Sequence, residues 1–182
     1  QVLFAAGDYE GARHSCERSA LVQEKISGPE SRELASCLAD LADFEKASGN
    51  LLAARRDAER ALAIREHIFG PDHPDVGQVL AILAGLYAEQ GDNSAALDTA
   101  LRAERIGREH LRLTMRALAE RPALRYALVR PAGLDLALSL VAENPETANI
   151  RRVWDALARS RAIVYDEMAA RHAAVASLSD SK

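Results

Sequence analysis

Five arginines recur at the spacing of one helix face. Arg102, Arg105, Arg108, Arg112 and Arg116, here called the arginine stripe, are three, three, four and four residues apart. That spacing places them on one side of an α-helix. A guanidinium is a permanent cation that binds carboxylates or phosphates through two parallel hydrogen bonds. Residues 102–130 contain eight arginines and three glutamates, a net charge of +5, whereas residues 1–101 contain nine basic and seventeen acidic residues, a net charge of −8. The charge of the chain is therefore polarised along its length.

The arginine stripe has three interpretations. It is a solvated helix face partly paired with Glu104, Glu109 and the acidic first half of the chain, or it binds an acidic protein, or it binds nucleic acid. The stripe carries no aromatic side chains on which bases could stack, which counts against single-stranded nucleic acid. The net charge of −4 and the pI of about 5.8 do not favour nucleic acid or an anionic membrane either.

No other set of residues has the spacing of a catalytic or metal site. The sequence contains no P-loop, no G-x-G-x-x-G, no G-x-S-x-G and no H-E-x-x-H. Its histidines are scattered: His14, His67, His73, His110 and His172. Cys16 and Cys37 form no C-x-x-C pair, so we expect free thiols in a reducing cytosol. We therefore predict a protein that is not an enzyme and that needs no cofactor or metal.

The elements that carry these residues repeat along the chain. Three turns lie 42 residues apart: Gly7-Asp8, Gly49-Asn50 and Gly91-Asp92. Apolar residues precede each of the later turns at i, i+3, i+4, i+7 spacing, and small residues follow it, as at Ala96, Ala100 and Ala103. A fixed period of this length predicts a stack of two-helix units, because one helical hairpin cannot bury its own apolar face.

These motifs resemble the tetratricopeptide (TPR) pattern, namely Leu83-Ala84-x-x-Tyr87, Gly91-Asp92, Ala96 and Ala103. The 42-residue spacing and FGPDHPDV at 69–76 are similar to the kinesin-light-chain type of TPR. The resemblance covers residues 1–110. It implies an all-α fold, a TPR helical-hairpin solenoid with a C-terminal helical extension at 111–178.

The same resemblance implies that the inner faces of the first helices line a concave groove for a protein or peptide. The matching positions are Ser36, Ala39, Asp40, Asp43, Lys46, Gln78, Ala81, Ile82, Gly85 and Ala88. Many family members carry paired asparagines that hold the peptide backbone, whereas this chain has Ala39-Asp40 and Ala81-Ile82 there. The alternative is that these residues are only the inner wall of the solenoid.

After the third unit the repeat ends. We expect a long helix over 93–120, a helix opened by Pro122 and kinked or ended by Pro131, a helix over 132–143 and a last helix of about 30 residues. The apolar stripe predicted for that last helix is Ile150, Val153, Trp154, Leu157, Val164 and Met168. Arg161 falls on this stripe, so a carboxylate on a neighbouring helix or a contact to a further domain is expected to compensate its charge.

The segment RRVWDALARSRAIVYDEMAARHA resembles the helix that precedes the caspase-like domain of CHAT proteins, with similarity over about 105–175. It implies that the chain, which begins at Gln1, is the regulatory TPR part of a longer protein with a Cys/His peptidase after Lys182. The expected function is a cytoplasmic, non-catalytic interaction scaffold without membrane contact. Its expected partners are a protein or peptide, acidic if it binds the arginine stripe, and that caspase-like domain. A stand-alone TPR adaptor and nucleic-acid binding are the alternatives.

Overall fold

Helices follow one another along the whole described chain. The computed structural model describes residues 9–118 and 133–179, and within these ranges it contains seven helices and no strand. They are α1 (Tyr9–Ser27), α2 (Arg32–Ala47), α3 (Leu51–Phe69), α4 (Pro74–Glu89), α5 (Asn93–Ala117), α6 (Leu134–Glu143) and α7 (Thr147–Ser179). The predicted all-α class is confirmed. The helix predicted between Pro122 and Pro131 lies outside the described residues.

Glycine turns end the helices at regular positions. Gly91 has φ +80°, a conformation that glycine adopts without a Cβ clash, and its N–H donates to the Ala88 carbonyl at 3.0 Å. The Asp92 side chain then accepts from the Ala95 N–H at 3.0 Å and caps α5. Positive φ values also occur at Gly28, Gly49 and Gly70. Each turn therefore reverses the chain so that successive helices pack side by side.

Alanines form the contacts between the stacked helices. The predicted small-residue positions are fully buried on both α3 and α5, at Ala54, Ala58, Ala61, Ala96, Ala100 and Ala103. Larger residues of the neighbouring first helices, including Leu34, Leu83 and Leu86, complete the core. Since the small side chains let helix backbones approach closely, an apolar core forms from a chain with only 4% aromatic residues.

The C-terminal helices continue the stack. Ala137 and Leu140 of α6 and Val153 of α7 pack in one cluster with Ala96 and Leu97 of α5. Further along, Leu111, Met115 and Ile163 join α5 to α7. The boundary expected near residue 110 falls inside α5, which runs without interruption from the repeat into the extension.

The apolar stripe predicted for α7 is wrong at two positions. Trp154 is 63% exposed and Arg161 is exposed. Val153 and Ile163 are buried, with only 2% and 7% of their surface exposed. Successive residues of a helix differ in direction by about 100°. Because α5 and α6 contact the side of α7 that bears Val153 and Ile163, Trp154 points away from the core. Arg161 is therefore not a buried charge.

A buried carboxyl replaces an aromatic residue at one repeat position. Tyr87 packs under the Arg55 guanidinium, 5.9 Å from the ring centroid, and its hydroxyl donates to Glu59 at 3.4 Å. Glu45 stands 42 residues earlier and is 3% exposed, with no hydrogen-bond partner for Oε2 among the described residues. Burial first, and then the nearby Asp57, raise the pKa of Glu45 to about 7.

The α5 alanine contact is testable by overpacking. Gly133, just before α6, lies so close to α5 that a Cβ added to it would be 2.2 Å from the Ala100 carbonyl oxygen. Ala100→Leu should therefore cost roughly 1–3 kcal/mol in the free energy of unfolding, measured by urea denaturation. Ala117→Leu, at an exposed position of the same helix, is the control. Equal stabilities for the two variants would show that Ala100 does not face a neighbour.

The buried Glu45 predicts a pH dependence of stability. Its folded-state pKa lies above the ordinary value of 4.5, so folding takes up a proton between about pH 4.5 and 7, and stability is lost as the pH rises through that window. Glu45→Gln should match the parent at about pH 4 and exceed its unfolding free energy at pH 8 by on the order of 1–3 kcal/mol. Thermal unfolding at both pH values measures this, with the exposed Glu33→Gln as the control. A variant no more stable than the parent at pH 8 would contradict it.

Candidate functional site

The ten groove positions predicted from the sequence lie on two neighbouring helices, α2 and α4. We call this surface the α2–α4 face, and its members are Ser36, Ala39, Asp40, Asp43 and Lys46 on α2 and Gln78, Ala81, Ile82, Gly85 and Ala88 on α4. Ala39 is buried, the polar members other than Lys46 are exposed, and the remaining five are half-buried. Ala81 and Ile82 pack against the core beneath them. The face therefore combines a small apolar floor with exposed polar groups.

Lys46 crosses this face from α2 to α4. Its Nζ lies 3.2 Å from Glu89 Oε1, and it is 2.7 Å from the position that a Cβ on Gly85 would occupy. The missing side chain of Gly85 therefore leaves the space in which the lysine lies. Since Lys46 and Glu89 neutralise each other, this end of the face has no net charge.

Asp40 and Asp43 differ from the other charged groups of the face. They lie one helical turn apart on α2, and neither makes an ion pair or hydrogen bond with the described residues. Desolvation raises the pKa of Asp43, the Lys46 ammonium opposes this, and the Asp40 carboxylate adds to it. Two carboxylates thus face the same space, and the cations that act on them, Lys46 on Asp43 and Arg65 on Asp40, form no direct ion pair with either among the described residues.

At the other end of the face, Gln78 lies among polar residues that were not predicted as part of the groove, namely Arg32, Arg65 and Asp75. Arg65 of α3 is only 9% exposed, and its Nη1 donates to the Asp75 carbonyl at 2.7 Å and to Gln78 Oε1 at 3.5 Å. Burial lowers the pKa of Arg65. Arg32 lies 3.9 Å from the Asp75 carboxylate. These contacts fix the start of α4 and hold the Gln78 side chain in place.

The segment FGPDHPD at 69–75 contains the sequence pattern from which the contacts at this end of the α2–α4 face could have been predicted. The Phe69 and His73 rings stack with their centroids 4.5 Å apart, and the Arg32 guanidinium lies 5.3 Å from the Phe69 centroid. His73 Nδ1 accepts from the Asp75 N–H at 3.2 Å. An aromatic residue and a histidine four positions apart around Gly-Pro indicate such a stacked turn.

Each member of the arginine stripe has a carboxylate close to it. The pairs are Arg102–Glu66 at 2.5 Å, Arg105–Asp72 at 2.7 Å, Arg108–Glu104 at 3.0 Å, Arg112–Glu109 at 2.9 Å and Arg116–Glu167 at 3.1 Å. Three of these acids belong to other elements, namely α3, the α3–α4 turn and α7. The geometry favours the interpretation in which the stripe pairs with the chain's own acids.

The pairs of the stripe differ in burial, which predicts unequal effects of mutation. The Arg108 side chain is 13% exposed and that of Glu104 is 2% exposed, whereas Arg105 and Asp72 are 48% and 66% exposed. Burial raises the pKa of Glu104, and Arg108 is the largest of the effects that oppose this. Arg108→Gln leaves a buried carboxyl without its cation and should cost roughly 2–4 kcal/mol of unfolding free energy.

Arg105→Gln is the matched control, since an exposed pair contributes about 0–1 kcal/mol. Urea denaturation of both variants measures the difference. Small and equal losses would show that Arg108 does not neutralise Glu104 in solution.

The described residues 9–118 and 133–179 contain no group of three or more His, Cys, Asp and Glu side chains that could hold a metal ion. Cys16 and Cys37 are free thiols whose pKa burial raises. Of the helices in the same ranges, none is both long and apolar enough to cross a membrane.

Solved structures share this fold. BtubC (BKLC) from P. vanneervenii is 17% identical, with a TM-score of 0.62 over 86% of this chain and 57% of that one. A Podosopora anserina putative kinesin light chain with nearly identical TPR-like repeats is 16% identical, with a TM-score of 0.55 over 88% and 89% of the two chains. A variant of that protein with one glutamine replaced by methionine is 15% identical, with a TM-score of 0.53 over 92% and 88%. The chain thus spans little more than half of the BtubC chain that it matches.

No curated protein matches the sequence significantly. The family model of the tetratricopeptide repeat matches residues 1–66 and 37–109, more than half of the chain. Repeats of this family form non-catalytic scaffolds that bind proteins or peptides. The glycine turns, the buried alanine stripes and this match lead to one conclusion: the chain belongs to the tetratricopeptide repeat family.

Proposed function

We propose that the chain is an interaction scaffold whose α2–α4 face takes up an extended segment of a partner protein. The observation that carries the proposal is the pair Asp40 and Asp43, which makes no direct ion pair with the described residues, although the Lys46 ammonium acts on Asp43 from a longer distance. The other charges at this face are satisfied internally, Lys46 by Glu89 and Arg32 by Asp75. A surface that satisfies its other charges but leaves two adjacent carboxylates open is suited to a ligand that carries a lysine or arginine.

The apolar floor of the α2–α4 face restricts which other side chains of the ligand can fit. Ala39, Ala81 and Ile82 present small or branched apolar side chains, so a segment with small apolar residues beside the basic one fits the surface. The Gln78 amide provides a donor for a backbone carbonyl, because its Oε1 is already engaged by Arg65. The proposed ligand is therefore an extended, basic and partly apolar peptide.

Selection from a library of random peptides tests this proposal. The full chain should select peptides enriched in Lys and Arg, and the selected peptides should bind at least about tenfold more weakly, a loss of 1.4 kcal/mol, to Asp40→Asn/Asp43→Asn. Affinity is measured by fluorescence anisotropy at two salt concentrations. Glu30→Gln/Glu33→Gln, which removes the same charge around the start of α2, should leave the affinity unchanged.

The arginine stripe is the competing site for a partner of the opposite charge. Arg105 and Arg116 remain 48% and 57% exposed in their ion pairs. An acidic segment would have to displace Asp72 or Glu167 to bind there. Selected peptides rich in Asp and Glu, with binding lost in Arg105→Gln/Arg116→Gln, would replace the proposal with this alternative. Nucleic-acid binding with a steep salt dependence would do the same.

We further propose that this scaffold acts within a longer CHAT-type protein. Support comes from the resemblance of residues 105–175 to the helix before a caspase-like domain and from Trp154 and Tyr165, which are 63% and 78% exposed on α7. Large exposed aromatic residues are typical anchors of interfaces. The coding sequence downstream of Lys182 tests this directly. A Cys/His peptidase domain there supports the role, and a different domain would leave a TPR adaptor.

A further inference from the structure

A cavity of about 190 Å³ lies where α5, α6 and α7 meet. Its floor is apolar and consists of Leu97, Leu140 and Val141, which belong to one core cluster. Its rim is polar and consists of Asn93, Ser94, Asn144, Glu146 and Asn149. These rim residues come from the first turns of α5 and α7 and from the turn between α6 and α7. The cavity shares no residue with the α2–α4 face.

The corresponding junction between α3 and α4 is filled by side chains. Gln90, the C-cap residue of α4, donates from Nε2 to the Leu51 carbonyl at 3.3 Å and accepts from Arg55 Nη1 at 3.2 Å. The Leu51 side chain packs against the core at the start of α3. These three residues together close that junction.

At the α5–α6 junction all three of these residues are different. The C-cap residue of α6 is Asn144, whose amide is one methylene shorter than that of a glutamine. Asn93 and Leu97 stand 42 residues after Leu51 and Arg55. A polar residue thus replaces the leucine, and no guanidinium bridges the two helices. The cavity is therefore a property of this one junction and not of the repeat.

A chain of hydrogen bonds fixes one wall of the cavity. Asn149 Nδ2 donates to Glu146 Oε2 at 3.2 Å, and Arg152 donates to Asn149 Oδ1 at 3.4 Å and to Asp98 Oδ1 at 2.6 Å. The first turns of α7 are thereby tied to α5. Arg152 neutralises Asp98, whereas Glu146 makes no ion pair with the described residues. The rim therefore carries one carboxylate whose charge is not compensated there.

The other rim side chains are also open to a ligand. Asn93, Ser94 and Asn144 are exposed, and their side chains make no hydrogen bond with the described residues. With the Glu146 carboxylate they place several acceptor oxygens around a small space. A primary ammonium group fits such a set, because it is compact and carries three donors and no acceptor.

The size and the floor of the cavity restrict the rest of the ligand. Cavities for drug-sized ligands usually measure about 300–1,000 Å³, so this one takes a single side chain or a molecule of that size. The apolar floor can cover the methylene groups of an aliphatic chain whose charged end stays at the rim. We infer that the cavity binds a primary ammonium group on an unbranched aliphatic chain, either a lysine side chain of a partner protein or a free aliphatic amine.

Two amine probes and an uncharged one test this inference on the full chain labelled with ¹⁵N. The amines are Nα-acetyl-lysine methylamide and 1,5-diaminopentane, and both should shift the side-chain NH₂ signals of Asn93, Asn144 and Asn149 saturably. The tighter binder of the two identifies the source of the ammonium group. Nα-acetyl-norleucine methylamide has a similar aliphatic chain without the charge and should bind at least about tenfold more weakly.

Variants of the rim and floor connect the signals to the cavity. Glu146→Gln removes the charge but keeps an oxygen acceptor for Asn149, and it should weaken amine binding about tenfold. Glu143→Gln is the matched control, since Glu143 is exposed three residues earlier and does not line the cavity. Asn93→Leu restores the residue found on α3, so it should fill the cavity and abolish binding while the melting temperature changes by about 2 °C or less.

Three results would overturn the inference. The first is the absence of a saturable shift up to about 10 mM amine. The second is equal affinity for the lysine and norleucine derivatives, or for Glu146→Gln and Glu143→Gln. The third is binding that is kept in Glu146→Gln and lost in Asp40→Asn/Asp43→Asn, since the amine would then occupy the α2–α4 face. Failure of this inference is thus distinguishable from failure of the proposed function.

Discussion

The close contact between alanine-lined helices is the constraint on which the rest of the structure depends. Ala58 and Ala61 on α3 and Ala100 and Ala103 on α5 have no exposed surface, so their backbones lie directly against the neighbouring helices. A larger residue at any of these points would push two helices apart. Because α2, α3, α4 and α5 pack against one another in turn, such a displacement would pass on to the relative placement of α2 and α4, and thus to the spacing of the polar groups on their exposed face.

Charge is distributed over this scaffold in two different ways. The pairs Arg60–Glu24 and Arg102–Glu66 connect successive second helices at equivalent positions, which makes them part of the repeat itself. Asp40 and Asp43 have no such counterpart, and α4 carries Ile82 and Gly85 at the corresponding places. Charges that recur with the unit therefore serve the stacking, and those that occur once are the better candidates for recognising a partner.

Local features of the fold could be predicted from the sequence. The turn at Gly91-Asp92 and the small-residue positions Ala96, Ala100 and Ala103 each depend on residues within a few positions of one another, and the structure confirms them. For the arginine stripe, the partners within α5, Glu104 and Glu109, were predicted, whereas the individual partners on other elements could not be predicted in the same way. Arg102 meets Glu66, and Arg116 meets Glu167, 51 residues further along the chain. Only the folded stack brings these groups together.

The buried side of α7 shows another limit of sequence patterns. Val153 and Trp154 are adjacent apolar residues that point in different directions, and either could begin a stripe at helical spacing. The packing of α5 and α6 decides between them, and it selects Val153 and Ile163. The ten groove positions predicted from the sequence lie on α2 and α4, yet the course of Lys46 over Gly85 depends on a side-chain conformation that no spacing encodes.

The position of Lys46 gives the α2–α4 face a direction. At the Asp43 side the surface is open, whereas at the Glu89 side the lysine fills the hollow above Gly85. A bulky side chain entering there must lift an ammonium group away from its carboxylate, but a glycine or alanine meets no such barrier. A segment laid along the face in one orientation would therefore not be equivalent to its reverse, and the two ends of a peptide bound as proposed would be distinguished by size as well as by charge.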